Sequence, residues 1–184
     1  MMDALTTGIA ERVAQERRGH DWSIADLAER SGVSAAMISR IERGEANPTA
    51  VLLSRLASAF GRSLSGLLEG VDGPPRRLLR RADQGQWRDP ESGYVRRALS
   101  ARPGGPLDLV EVSFPPGARI DYPRSVYLRL HQQVWILEGR LRLIEDETVH
   151  VLETGDAFTF GEADYGFENP YADTCRYLVA VAPR

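Results

Sequence analysis

The sequence predicts two folding units, an all-α domain followed by an all-β domain. Up to about Leu68 the apolar residues recur at helical spacing, whereas after Leu78 they alternate in short runs that Gly, Pro and Asp interrupt. The stretch 69–75, Glu-Gly-Val-Asp-Gly-Pro-Pro, has the composition of a linker. We therefore expect an all-α domain at 8–69, a linker at 70–77 and an antiparallel barrel or jelly roll at 78–184.

Size and composition are typical of a folded protein without a membrane span. The chain has 184 residues, of which 42% are hydrophobic, enough to bury the cores of two small domains. It has no run of 18 apolar residues, and its N-terminus lacks the apolar segment of a signal peptide, so we expect a cytoplasmic protein. The single cysteine, Cys175, excludes an internal disulfide and is expected to pack within a strand.

Charge is divided unevenly along the chain, and all 23 basic residues are arginines. Residues 1–70 carry eight arginines against nine acidic residues, residues 71–102 eight against four, and residues 103–184 seven against thirteen. The net charges of −1, +4 and −6 sum to −3. If the helical domain binds DNA, it must use locally clustered arginines and helix N-termini, and the acidic C-terminal half should repel DNA.

Two short helices separated by a turn are predicted between Ser23 and Gly44. Ser23 and Asp26 form a capping-box pattern, and apolar or small residues follow at i, i+3, i+4 and i+7 until Gly32. Val33 can fill the turn, and Ser34 is a suitable N-cap for the second helix. The predicted buried side of that helix contains Met37, Ile38 and Ile41.

The outward side of the second helix suits a DNA groove. It contains Ala35, Ala36, Ser39, Arg40 and Arg43. Small residues allow close approach to base edges, and Arg40 is the candidate for a bidentate contact with guanine, although arginine also binds phosphate. Arg43 is expected at a phosphate.

The helix ends supply further candidate contacts. The N–H groups after Ser23 and Ser34 can bind phosphate, and Asn47 and Thr49, before the next helix, can touch the sugar-phosphate backbone. Arg17 and Arg18 are expected to form a solvated helix end. A helical bundle that packs without binding DNA is the alternative interpretation.

The run LAERSGVSAAMISRIERGEANPT, with a helix before it and another after it, resembles the five-helix domain of the xenobiotic-response-element family, to which phage repressors belong. The resemblance covers residues 8–69. It implies binding to double-stranded DNA, with Ala35, Ala36, Ser39 and Arg40 at base-facing positions. Ile24 stands where members often carry glutamine, which removes one contact near a phosphate.

The C-terminal half has short strands separated by turns. Leu78, Leu79, Trp87 and the stretch 94–99 are expected to supply the first strands. The segments VWILEGRLRL, LETGDAFTF and GFENP resemble the two sequence blocks of the cupin fold, and the whole chain resembles helix-turn-helix regulators with an appended cupin domain.

The cupin resemblance implies a metal held by histidines and a glutamate, but this sequence departs from that pattern. Gln132 stands at the glutamate position, Gly166 at a histidine position, and no histidine occurs near 126–128. His131 and His150 are the remaining histidines of this half. We therefore expect no metal and no other cofactor.

A barrel without a metal can still bind a small ligand. The candidate pocket residues are Arg119, Tyr122, Arg124, Tyr127, His131, Gln132 and Tyr165. The arginines would suit an anion; alternatively, these side chains fill the barrel or its dimer face. Trp135 has the opposite strand parity to Gln132 and is expected between sheets or at a subunit contact.

The function expected is a dimeric transcription regulator that binds a palindromic operator, with a metal-free barrel for a small effector, and not an enzyme. Two alternatives remain. One is a metal-dependent cupin oxidase or epoxidase with an accessory helix-turn-helix domain, and the other is a barrel that serves dimerisation alone.

Overall fold

The computed structural model describes residues 4–69, 77–101 and 105–183. In that part of the chain, five α-helices precede the sheets, as predicted; the predicted linker at 70–77 lies outside the described residues except for residue 77. The helices are α1 (Ala4–Gly19), α2 (Ile24–Ser31), α3 (Ala35–Glu42), α4 (Ala50–Ala59) and α5 (Leu64–Glu69).

Side-chain caps define the helix-turn-helix. The amide N of Asp26 donates to Ser23 Oγ at 3.1 Å, and the amide N of Ser23 donates to Asp26 Oδ2 at 2.7 Å, so the predicted capping box is present. Gly32 ends α2 with φ +67°, a conformation that glycine adopts readily. Helix α3 ends at Glu42, two residues before the predicted end at Gly44.

The helical core is formed by the apolar residues at helical spacing, including the fully buried Val13, Leu27, Ile38 and Leu53. Arg17 links α1 to α3: its Nε lies 2.6 Å from Glu42 Oε1, and its Nη2 donates to Glu42 Oε2 at 2.8 Å. The predicted solvation of Arg17 is therefore wrong, because its side chain is only 13% exposed.

Ten short antiparallel strands form two sheets in the described part of the C-terminal half. They are β1 (Gln86–Arg88), β2 (Val95–Ala98), β3 (Asp108–Phe114), β4 (Arg119–Tyr122), β5 (Leu130–Glu138), β6 (Arg140–Glu145), β7 (Thr148–Glu153), β8 (Ala157–Thr159), β9 (Tyr165–Glu168) and β10 (Cys175–Pro183). One sheet has the order β1-β2-β3-β10-β5-β8 and the other the order β4-β9-β6-β7. This is the predicted all-β architecture of two facing sheets.

Strand alternation decides which side chains point into the barrel. In β5, Leu130, Val134 and Ile136 are buried, whereas His131 and Trp135 are exposed. Leu78 and Leu79, predicted to belong to the first strands, lie outside any strand, and Leu78 is 62% exposed. Among the described residues, the first strand is β1, which starts at Gln86, seven residues after Leu79. Its buried side chain is Trp87, which packs into the barrel.

Cys175 is fully buried at the start of β10, in the strand environment that the sequence predicts. Burial raises the pKa of its thiol to about 11, so the thiol stays protonated at neutral pH.

Hydrogen bonds join the helical part directly to the barrel. The buried Asp89, in the turn between β1 and β2, accepts from the amide N of Ala50 at 2.7 Å, in the first turn of α4. Its second oxygen accepts from the amide N and Oγ of Ser92 at 2.7 and 2.6 Å. Ser63, before α5, donates to Asp108 of β3. The helices therefore rest on the barrel through satisfied buried polar groups.

We expect Asp89→Ala to lower the free energy of unfolding by about 1–3 kcal/mol, because it leaves buried N–H groups without acceptors. Urea unfolding, followed by circular dichroism, measures the change. Asp83→Ala, which removes an exposed carboxylate from the preceding turn, is the matched control. Equal midpoints for both variants would contradict this account of the interface.

Candidate DNA-binding surface and barrel cavity

The structure places the predicted DNA contacts at the surface of the helix-turn-helix. Seven are exposed and two, Ser39 and Thr49, are half-buried. The exposed seven are Ser23, Ser34, Ala35, Ala36, Arg40, Arg43 and Asn47. Helix α3 buries Ile38 and Ile41 against the core, so its opposite side faces solvent with small side chains at its N-terminal end.

The three helix N-termini differ in their suitability for phosphate. At α2, Asp26 accepts from the hydroxyl and the amide N of Ser23, which lowers the pKa of this carboxyl group, and at α4 the Asp89 carboxylate accepts from the amide N of Ala50. Helix α3 has no acidic residue in its first turn, and its cap is the hydroxyl of Ser34. A bound phosphate would therefore meet no first-turn carboxylate at α3, whereas it would meet Asp26 at α2 and the Asp89 carboxylate of the barrel at α4.

Arg40 within α3 and Arg43 at the C-cap of this helix have different partners. Arg43 forms a two-point ion pair with Glu45, with Nε to Oε1 at 2.8 Å and Nη2 to Oε2 at 2.6 Å. Arg40 Nη2 donates to the carbonyl oxygen of Glu45 at 3.4 Å, and no carboxylate of the described residues lies within 4 Å of its guanidinium. Among the described residues, Arg40 thus has no ion-pair partner within 4 Å, whereas Arg43 is held by Glu45, whose charge also acts on Arg40.

Sequence reasoning missed Glu45, which the turn after α3 brings back to the solvent-facing side of that helix. The amide N of Glu45 donates to the carbonyl of Arg40 at 2.9 Å, which fixes this return. Hydrogen bonding to Arg43 lowers the pKa of Glu45, so its carboxylate is charged at neutral pH.

We expect Glu45→Gln to tighten binding to a non-specific DNA duplex several-fold at low salt and to steepen its salt dependence, because Arg43 becomes available to a phosphate. Fluorescence anisotropy over a series of salt concentrations measures both effects. Glu147→Gln, an exposed change in the barrel, controls for net charge. An equal gain for both variants would mean that Glu45 does not restrain Arg43.

The barrel encloses a cavity of about 60 Å³ that borders the helical part. Tyr122, Tyr127 and Gln132 line it among the predicted pocket residues. Sequence reasoning missed its other polar lining residues, which are Ser54, Arg62, Tyr94, Arg96 and Tyr177. No local signal identifies them, because they meet only when β2, β10 and the helices α4 and α5 pack together.

The other four predicted pocket residues lie elsewhere. Arg119 is exposed, and its Nε lies 2.9 Å from Asp121 Oδ2. Arg124 is also exposed, and its Nη2 lies 3.5 Å from Asp146 Oδ1. His131 points outward from β5. Tyr165 is buried, and its hydroxyl donates to Glu145 Oε1 at 2.7 Å and accepts from the amide N of Gly161. The structure does not bring these four into the cavity.

Gly166, which stands at a histidine position of the cupin pattern, does not face the interior of the barrel. In β9 the buried Tyr165 and Phe167 occupy the neighbouring positions, and a Cβ at Gly166 would lie 2.8 Å from Oδ1 of the exposed Asp121. A side chain here would therefore point away from the interior, so Gly166 cannot be the position of an inward metal ligand. Within the described ranges, no group of three or more His, Cys, Asp or Glu residues could hold a metal ion.

The cavity's tyrosines remain protonated at neutral pH. Burial raises the pKa of Tyr94, and raises those of Tyr122, Tyr127 and Tyr177 well above the usual value. Tyr94 and Tyr122 share a hydrogen bond of 3.1 Å between their hydroxyl oxygens. The interior of the barrel thus offers neutral hydroxyl groups beside the guanidinium of Arg96.

No described helix is long and apolar enough to cross a membrane.

Known proteins resemble the chain at two levels. A helix-turn-helix family model matches residues 13–67. The regulator SutR of Escherichia coli (strain K12) is 39% identical over 59 residues, 32% of this chain and 33% of SutR. The regulator DdrOP3 of Deinococcus deserti is 34% identical over 64 residues, 35% of this chain and 50% of DdrOP3. The matches thus span a third and a half of these relatives' lengths.

The full architecture has a counterpart among solved structures. A helix-turn-helix family transcriptional regulator from Vibrio cholerae superposes with a TM-score of 0.79 over 98% of both chains, at 24% sequence identity. At this identity the likeness concerns the fold alone. Residues 13–67 therefore form a helix-turn-helix domain of the matched family, and a barrel of two antiparallel sheets follows it.

Proposed function

We propose that this protein is a transcription regulator, not an enzyme, which binds double-stranded DNA as a homodimer and carries a metal-free cupin domain for a small effector. The observation that carries the proposal is the solvent-facing side of α3. Its N-terminal residues are small, its first turn is free of acidic residues, and Arg40 projects from it without a carboxylate within 4 Å among the described residues. In this proposal, residues 8–69 bind DNA, residues 70–77 link the two domains, and residues 78–184 form the cupin domain.

The contacts at DNA follow from the surface. Ala35, Ala36 and Ser39 allow the backbone of α3 to approach base edges, and Arg40 reaches a guanine in the major groove. Ser34 and the N-terminus of α3 bind one phosphate. Arg43, Asn47 and Thr49 contact the sugar-phosphate backbone, and Arg43 must leave Glu45 to do so. Ser23 is the weakest of these contacts, because Asp26 occupies the α2 N-terminus.

The proposed dimer interface is the outer face of the six-stranded sheet. Trp135 is 51% exposed there and pairs across the strands with Leu178 of β10 and Ala157 of β8. Ala180 and Leu109 continue this face on β10 and β3. Gln133 and Glu111 stand on the same face, opposite Ala180 and Leu178, and an exposed tryptophan on a mixed face of this kind is typical of a subunit contact. Two such chains would present two α3 helices to successive turns of DNA, about 34–36 Å apart.

Selection from a pool of randomised duplexes tests the proposal. We expect enrichment of a two-fold symmetric sequence that binds roughly 10³–10⁷ times more tightly than unrelated DNA at physiological salt. Equal binding to all duplexes would contradict sequence-specific regulation. Metal analysis of the same preparation tests the alternative: one tightly bound transition metal per chain would favour a cupin oxidase or epoxidase.

A further inference from the structure

We propose that the cavity between the barrel and helices α4 and α5 binds a small organic anion, with one carboxylate on Arg96 and a short apolar body against the opposite wall. The role of this anion as an effector rests on the proposed function, whereas its binding to the cavity can be tested without DNA.

The first observation is the charge of Arg96. Its side chain lines the cavity, and its Nη2 donates to Ser65 Oγ of α5 at 3.2 Å. Across the described residues, no carboxylate lies within 4 Å of its guanidinium, whereas four exposed or half-buried arginines of the barrel pair with acidic residues. A partly enclosed cation without a counter-charge is costly, and an anionic ligand removes that cost.

The second observation is that the cavity supplies neutral donors beside a single uncompensated charge. Arg62 also lines the cavity, but its Nε is 2.8 Å from Glu16 Oε2. The hydroxyls of Tyr94 and Tyr122 lie 3.1 Å apart, and Tyr127 and Gln132 complete the polar side. One free positive charge with hydroxyl and amide donors matches a monoanionic carboxylate better than a doubly charged phosphate.

The third observation is the shape of the cavity. Its remaining wall is apolar and includes Val112, Ile120, Phe160 and Phe167. The volume of about 60 Å³ holds several water-sized groups, since one water needs roughly 10–15 Å³. A carboxylate with a short hydrocarbon chain fits this combination of size, charge and polarity.

The position of the cavity connects the ligand to the DNA-binding part. One wall of the cavity comes from the helical part: Ser54 of α4, Arg62 between α4 and α5, and Leu64 of α5. Ser65 of α5 accepts a hydrogen bond from Arg96. A carboxylate on Arg96 would bind the same guanidinium that donates to Ser65. Ligand binding can therefore favour one arrangement of the helices on the barrel over another.

Calorimetry and thermal shift of the full chain with acetate, propionate, butyrate and inorganic phosphate, at equal ionic strength, test the proposal. We expect binding of a short carboxylate, with a Tm that rises with its concentration. Arg96→Gln should weaken binding at least about tenfold, and Tyr122→Phe, which keeps the ring, several-fold. The neighbouring Arg97→Gln, on the opposite side of β2, should bind as wild type does.

Binding of phosphate without binding of carboxylates would overturn the ligand class. Carboxylate binding that survives both Arg96→Gln and Tyr122→Phe would overturn the site, as would the absence of binding by all four probes. Duplex selection is run on the same preparations without any ligand. If the selection fails but carboxylates bind, the proposed regulator function is contradicted and the anion site is not. If the selection succeeds but no carboxylate binds, only the anion site is contradicted.

Discussion

Arg40→Ala is expected to weaken binding to the selected operator by about 1–3 kcal/mol, roughly five- to 150-fold, and to relax the preference for one guanine. The reason is geometric. Arg40 projects from the exposed side of α3, and the exposed Ala35 and Ala36 precede it on the same helix, so a groove that admits this helix also meets the guanidinium. Protein stability should be unchanged, because the side chain is exposed.

Fluorescence anisotropy with the operator and with single-base variants measures this effect. Arg81→Ala removes an exposed arginine of the barrel half and controls for net charge. Arg43→Ala gives a second comparison, because loss of a phosphate contact should weaken all sequences uniformly. If Arg40→Ala keeps the full discrimination of wild type, Arg40 does not read a base.

Trp135→Glu is expected to convert the proposed dimer to monomers and to lower operator affinity about 10²- to 10⁴-fold, since each monomer would engage one half-site without the gain from linkage. In the proposed dimer, a carboxylate at this position would be buried against the same face of the partner chain without a counter-charge, which is costly. The monomer should remain folded, because the indole is already half exposed.

Sedimentation velocity measures the oligomeric state of this variant. Val151→Glu is a matched control, because Val151 is 52% exposed and lies on β7 of the other sheet. A dimer that survives Trp135→Glu but dissociates in Val151→Glu would place the interface on the four-stranded sheet instead.

The helix-turn-helix could be predicted from the sequence because its determinants are local. Ser23 and Asp26 are three residues apart, Ser34 caps the helix that it precedes, and Leu27, Ile38 and Ile41 follow helical spacing. The features that sequence reasoning missed depend on longer distances. Arg17 and Glu42 are 25 residues apart and meet only when α1 packs on α3.

The barrel interior shows the same limit more sharply. Counting along the cupin pattern led to Gly166, whereas the register of β9 turns that position outward and Tyr165 inward. Arg96 gave no signal, because its place in the cavity requires β2 to pair with β3 and α5 to cover the barrel. Residue types predicted an anion-binding pocket, but the arginines expected there, Arg119 and Arg124, are paired at the surface.

The interface between helices and barrel gives the proposed regulation a physical basis. Asp89 holds the first turn of α4, Ser63 contacts Asp108, and Arg96 contacts Ser65. Under the proposed regulation, a ligand that altered one of these bonds would shift the helices from this arrangement on the barrel towards another.

Methylation interference on the selected operator tests the central claim most directly, because methylation of guanine N7 blocks contacts in the major groove. If α3 of each chain reads DNA as proposed, interference will occur at two guanine positions related by two-fold symmetry and separated by about one helical turn, roughly 10 base pairs. Arg40→Ala should abolish it at these guanines and leave phosphate contacts detectable by ethylation. Interference absent from guanine N7, or unchanged by Arg40→Ala, would contradict recognition by α3.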